Sequence, residues 1–223
     1  MLTELQQEHI LKASQYAQQR FIGFESGHDW WHTWRVWQLA NHIAGMEGAD
    51  SYICSMSALL HDIQDHKFYS PVCLAGQFET RDFLESLELD INLITTILFI
   101  TENLSYSSEI DKDFHKSIEF KVVQDADRLD AMGAIGIARA FNYGGYKQRP
   151  IYHPGSLPKN YTSTSEYRAG ESSSIMHFYE KLLKLKEGLN TSTACRIAEE
   201  RHNYMEEYLK QFFKEWSEFA KLI

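Results

Sequence analysis

An all-α fold is predicted by two observations. Apolar residues recur at helical spacing from one end of the 223-residue chain to the other, and no stretch alternates apolar and polar residues long enough to form a half-buried strand. A hydrophobic share of 43% and a charged share of 24% are ordinary for a globular protein, and the length suffices to bury a core in one domain, residues 1–223. The expected architecture is a compact multi-helix bundle with one long irregular loop.

The first helix is predicted from Thr3, a capping residue with Gln6 three positions on, to about Gln19. Its polar surface suits an outer position. The second begins near Trp30, where His32, Val36, Leu39 and Ile43 form one inward stripe. After a break from Gly48 to Ser51, a third helix carries Ile53, Met56 and Leu60 on one side and finishes at His61, Asp62 and Ile63. Two scaffold helices follow, from about Gly76 to Leu87 and from about Ile91 to Thr101, the latter apolar enough to be mostly buried. One long helix is predicted from Ser117 to Phe141, with Val123, Asp127, Asp130, Ala134, Ile137 and Phe141 along an inward stripe. A second stripe on it, Leu129, Gly133, Gly136 and Ala140, is small enough for a neighbouring helix to come close. From Asn142 to Gly170 prolines, glycines and hydroxyl residues predict one long irregular loop of the kind that covers active sites. Helical spacing returns at Phe178, Leu182 and Leu185, and the chain closes in a long amphipathic helix through Ala198, Met205, Leu209, Phe212 and Trp216.

Charge and composition exclude several functions. With 22 basic against 31 acidic residues, net −9, the chain has no large surface for nucleic acid, which requires rows of Lys and Arg. A nucleotide remains open to it through a local basic patch. No apolar run approaches the roughly 20 residues of a membrane span, and the start MLTELQQEH lacks the features of a signal peptide, so a cytoplasmic location is expected. Cys54, Cys73 and Cys195 are widely separated and read as reduced thiols. The apolar C-terminal helix, with Phe212, Phe213, Trp216 and Phe219, suggests a homodimer.

Helical phase and motif single out His32, the adjacent His61 and Asp62, and Asp127. Two imidazoles and two carboxylates form a borderline to hard donor set that suits Mn²⁺, Fe²⁺, Ni²⁺, Co²⁺ or Zn²⁺ and leaves positions open. Neighbours on a regular helix point about 100° apart, so His61 and Asp62 reach one ion only where the helix ends, as it is predicted to do there. Taken singly, each residue also reads as an ordinary buried polar group. Asp127 in particular would need a cation or a hydrogen-bond partner, and Arg128 or Arg139 could serve. Asp125 is the competing carboxylate, but it lies about 200° from Asp127 around the helix.

The segments HDWWHTWRV (28–36), LLHDIQD (59–65) and VVQDADRLDAMGAIGIARAF (122–141), in this order, resemble the motifs of the HD-domain superfamily of metal-dependent phosphohydrolases. The C-terminal HFYEKLLKLKEGLNTSTACRIAEERHNYMEEYLKQFFKEW is similar to a bacterial subgroup of small single-domain members, so the likeness covers almost the whole chain. The resemblance implies His32, His61, Asp62 and Asp127 as ligands of a divalent ion (Mn, Ni, Fe, Co, Zn or Mg). It also implies that a metal-activated water attacks phosphorus. Asp65 stands where related guanosine tetraphosphate hydrolases place a catalytic carboxylate, and Lys67 and Arg35 would bind phosphate oxygens.

In the predicted loop, Lys147 and Arg149 with Tyr143 suit phosphate and base, and Arg139 joins them as a substrate-binding candidate. The resemblance thus implies a nucleotide substrate, most specifically a (deoxy)nucleoside triphosphate cut to monophosphate and pyrophosphate. The alternatives are a nucleoside monophosphatase, a cyclic-nucleotide phosphodiesterase, or a non-catalytic nucleotide-binding module on the same frame.

Overall fold

The computed structural model describes residues 2–21, 29–63, 80–104, 114–159 and 172–218. Among these, every regular element is helical: α1 (Glu4–Arg20), α2 (Trp30–Glu47), α3 (Ser51–Leu60), α4 (Thr80–Ser86), α5 (Ile91–Asn103), α6 (Ile118–Asp130), α7 (Gly133–Tyr146), α8 (Ser174–Glu180), a 3₁₀ helix (Leu182–Gly188) and α9 (Ser192–Glu218). The chain forms two compact units, Met1–Ala126 and Asp127–Ile223.

In the first unit α3 is the central element, packed against α1, α2 and α5, with α4 against α5. Local signals set each end. Thr3 and Gln6 exchange reciprocal hydrogen bonds at the start of α1, satisfying two amides that a helix leaves unbonded. Gly48 ends α2 in the left-handed region at φ 72°, where a side chain would be strained, and Asp50 then caps α3 by accepting from the amides of Tyr52 and Ile53. This tight turn lays α2 and α3 side by side. Helix α3 is buried on nearly every face rather than on the one stripe expected from Ile53, Met56 and Leu60, and Ile53 is only half-buried. Ile10, Ala13, Met56, Leu59, Leu84 and Ile97 belong to the core around it. On α2, Val36, Ala40, Ile43 and Ala44 are buried while Leu39 is half-buried, because alanines fit the close approach to α3.

The second unit departs from the sequence reading in two places. The single helix expected over 117–141 is two, α6 and α7, separated at Ala131 and Met132. Gly133 stands at φ 69°, and Ala131 and Met132 turn back to the carbonyls of Arg128 and Leu129, so the inward stripe from Val123 to Phe141 is interrupted. The irregular segment also begins later than Asn142, since α7 continues to Tyr146. Gly144 lies inside that helix because a Cβ there would sit 2.1 Å from Ser174 Oγ. Residues 147–159 are irregular, and 160–171 lie outside the described residues. Helix α9 packs on α7 and the 3₁₀ helix, and α8 on the same two elements. Near its end, Phe212, Phe213 and Trp216 surround the ring of Tyr152 at 5.0 to 6.0 Å, leaving Trp216 partly exposed. No described helix is long and apolar enough to cross a membrane.

Candidate metal centre

The first turn of α2 and the end of α3 bring together two histidines. Asp29 caps α2 by accepting from the His32 amide at 2.8 Å, which fixes the turn carrying His32 and leaves its side chain fully buried. The regular part of α3 stops at Leu60, and His61 is its C-cap. The His61 ring turns back so that Nδ1 donates to the Ala58 carbonyl at 2.8 Å. A carbonyl can only accept, so Nδ1 carries the proton and a neutral His61 presents its lone pair at Nε2.

The two rings stand 5.3 Å apart at 70°. Oδ2 of Asp62 lies 3.4 Å from Nε2 of His32 and 3.4 Å from Nε2 of His61. Ending the helix at Leu60 is what lets consecutive side chains converge, since a continued helix would point Asp62 away from His61. One ligand atom each of His32, His61 and Asp127 lies within 4.8 Å of the others. Asp125, fully buried, belongs to no such group among the described residues.

The donor chemistry fits a divalent ion. Atoms each about 2.1 Å from one ion stand about 3.0 to 3.4 Å apart at octahedral or tetrahedral angles, which is the spacing of Asp62 Oδ2 from the two imidazole nitrogens. The hydrogen bond from His61 Nδ1 to a backbone carbonyl is the outer contact that usually orients a ligating imidazole. The cluster can therefore hold a metal ion.

The other residues named from the sequence fall elsewhere. Arg35 is half-buried on α2, one turn after His32. Asp65 and Lys67 lie outside the described residues. Tyr143, at the end of α7, has Lys147 Nζ 5.8 Å and Arg149 Cζ 5.6 Å from its ring, and Lys147 also lies 5.1 Å from Tyr146. Arg139 on α7 pairs with Asp130 at 2.8 Å. Asp29 and the Ala58 carbonyl escaped the sequence reading. Asp29 was legible as a capping acid directly before a helix, whereas the Ala58 carbonyl is a backbone group with no signature of its own.

These features define an all-helical protein with a buried His/Asp cluster suited to a metal. Residues 30–132 match the family model of the HD domain. The Bacillus subtilis protein YpgQ is 37% identical over 96% of this chain and 96% of its own. A protein of known structure from Lactobacillus plantarum superposes with a TM-score of 0.81 at 36% identity, covering 97% of this chain and 99% of that one. An HD-superfamily hydrolase from Bacillus thuringiensis superposes at 0.72, with 41% identity over 95% and 98% of the two chains. YpgQ in a crystal complex with ADP gives 0.73 at 34% identity over 92% and 97%. The chain belongs to the HD-domain family, whose hydrolases are metal-dependent phosphohydrolases.

Proposed function

We propose that this protein hydrolyses nucleotides, converting a (deoxy)nucleoside triphosphate to the monophosphate and pyrophosphate. The observation that carries the reading is the convergence of His32, His61 and Asp62, with both imidazole Nε2 atoms 3.4 Å from one carboxylate oxygen. These three residues and Asp127 would hold the ion. When bound, the ion supplies a Lewis acid and a water nucleophile at neutral pH.

The chain's own side chains do the rest. The Ala58 carbonyl keeps His61 in the tautomer that can ligate. Water attacks the α-phosphorus, forming one P–O bond as the bond to the bridging oxygen breaks. Pyrophosphate departs with that electron pair, and in our assignment Asp65 takes the proton from water. Arg35 and Lys67 neutralise charge on the phosphates. Lys147 and Arg149, both set against the Tyr143 ring, contribute cations and an aromatic face for the nucleotide. The ADP bound by YpgQ, a relative aligned over nearly its whole length, supports a nucleotide as the ligand.

The deciding experiment is a screen of purified protein with Mn²⁺ against nucleoside triphosphates, nucleoside monophosphates and cyclic nucleotides, run in ¹⁸O-labelled water. Pyrophosphate with label in the monophosphate is expected. Turnover of only monophosphates or cyclic nucleotides would replace the reading with one of those activities. ADP binding without any turnover would make the protein a sensor.

A further inference from the structure

The three residues that follow Asp127 on α6 are each tied to a different element of the same unit. The Arg128 guanidinium donates to the Gly188 carbonyl at the end of the 3₁₀ helix. The Leu129 carbonyl accepts from the guanidinium of Arg201 on α9 and from the amide of Met132. The Asp130 carboxylate, fully buried, pairs with Arg139 on α7 at 2.8 Å.

Helix C-termini leave carbonyls without intrahelical partners, and a single backbone donor or an αL cap ordinarily serves them. Here two arginines from other helices, Arg139 and Arg201, reach one turn, and a third, Arg128, extends from that turn to the 3₁₀ helix. Arg201 reaches it through a built approach: a Cβ at Gly133 would stand 3.0 Å from Arg201 Cγ, so the glycine, held at φ 69°, leaves the space through which the arginine passes. The planar guanidinium suits this place because it holds a carbonyl while its charge faces Asp130, which a lysine ammonium can do only as a point charge.

We infer that Arg201 is a positioning residue for the metal centre: by holding the Leu129 carbonyl it fixes the last turn of α6 and with it the carboxylate of Asp127. The inference rests on the reading of Asp127 as a ligand. A ligand already immobilised loses little freedom when the ion binds; contacts made directly to a ligand commonly change metal affinity by about ten- to a hundredfold, and Arg201, which holds the backbone two residues beyond Asp127, is expected at the lower end of that range.

The test measures Mn²⁺ alone binding to full-length metal-free protein by calorimetry, for wild type and for Arg201→Met, Arg201→Lys, Asp127→Ala and Arg196→Met. Circular dichroism checks folding, and triphosphate turnover is followed across Mn²⁺ concentration. Arg201→Met is expected to weaken Mn²⁺ binding by about tenfold. Arg201→Lys should recover part of that loss, and turnover lost at low Mn²⁺ should return at high Mn²⁺ with KM for the nucleotide unchanged. Arg196, exposed on α9, should be replaceable without effect. Wild-type affinity in a folded Arg201→Met overturns the inference. If that variant does not fold, Arg201→Lys decides alone: a several-fold loss supports it and wild-type affinity overturns it. Unchanged Mn²⁺ binding in Asp127→Ala would instead remove the underlying reading of the site.

Discussion

Asp62 makes the sharpest demand on a single side chain. Its Oδ2 lies 3.4 Å from the Nε2 atoms of both His32 and His61, so replacing Asp62 with the isosteric amide removes the negative charge from that cluster while keeping the shape. Asp62→Asn should lower metal-dependent turnover by at least about a hundredfold with unchanged helicity; activity within threefold of wild type would show that Asp62 is no ligand. His177 on α8 illustrates the opposite use of a histidine. Burial first, then the charges of Lys181 and Arg149, press its pKa from 6.5 down to about 3. Between those values the unfolded chain takes up a proton that the folded chain refuses, so the stability it permits is complete above about pH 6.5 and declines as pH falls, by up to about 1.4 kcal/mol per pH unit. Urea unfolding at pH 7.5 and pH 5.0 should therefore show wild type losing more stability than His177→Gln. Equal losses in the two proteins would mean that His177 protonates in the native state.

The helices show where periodicity informs and where it fails. Caps at Thr3, the Gly48 turn and the stop at His61 were legible because each depends on residues adjacent in sequence. The division of α6 from α7 was not, since Ala131 and Met132 are ordinary helix residues and no proline marks the place. It is imposed by Gly133 at positive φ and by packing from a helix about 70 positions away, as the bond from Arg201 to Leu129 records. Gly144 misled in the other direction: it looks like a loop residue but is small because Ser174 presses on it. Two glycines therefore predict opposite outcomes. At Gly136 a Cβ would fall 2.2 Å from the Ala131 carbonyl oxygen, so Gly136→Ala should cost about 1 to 3 kcal/mol. At Gly45, inside α2, nothing lies within 4 Å, and Gly45→Ala should stabilise by up to about 1 kcal/mol through helix propensity. Thermal denaturation of the two variants checks both signs.

For the molecule as a whole, the metal should act as a stabilising ligand. A free ion at a hundred times its Kd adds about 2.7 kcal/mol to the folded state, so chelation should lower Tm, Mn²⁺ should restore it, and Asp62→Asn should abolish the difference. A Tm indifferent to chelator would count against a native metal centre. The parts of this centre differ in legibility for a physical reason. His61 and Asp62 are announced by a short motif at a helix end and His32 by its phase on an apolar face, whereas Asp127 competes with Asp125 two positions away and is preferred only because helical phase puts it on the inward stripe, about 200° from Asp125. Because Gly48 and Asp50 reverse the chain so tightly, His32 and His61 become neighbours across one helical hairpin, a contact of short sequence separation. Such contacts close early in folding, while those of long separation wait for costlier loop closure. A refolding chain is thus expected to own a two-imidazole clamp with the Asp62 carboxylate before Asp127 arrives, and divalent ions present from the start should capture that nascent hairpin and alter the refolding rate.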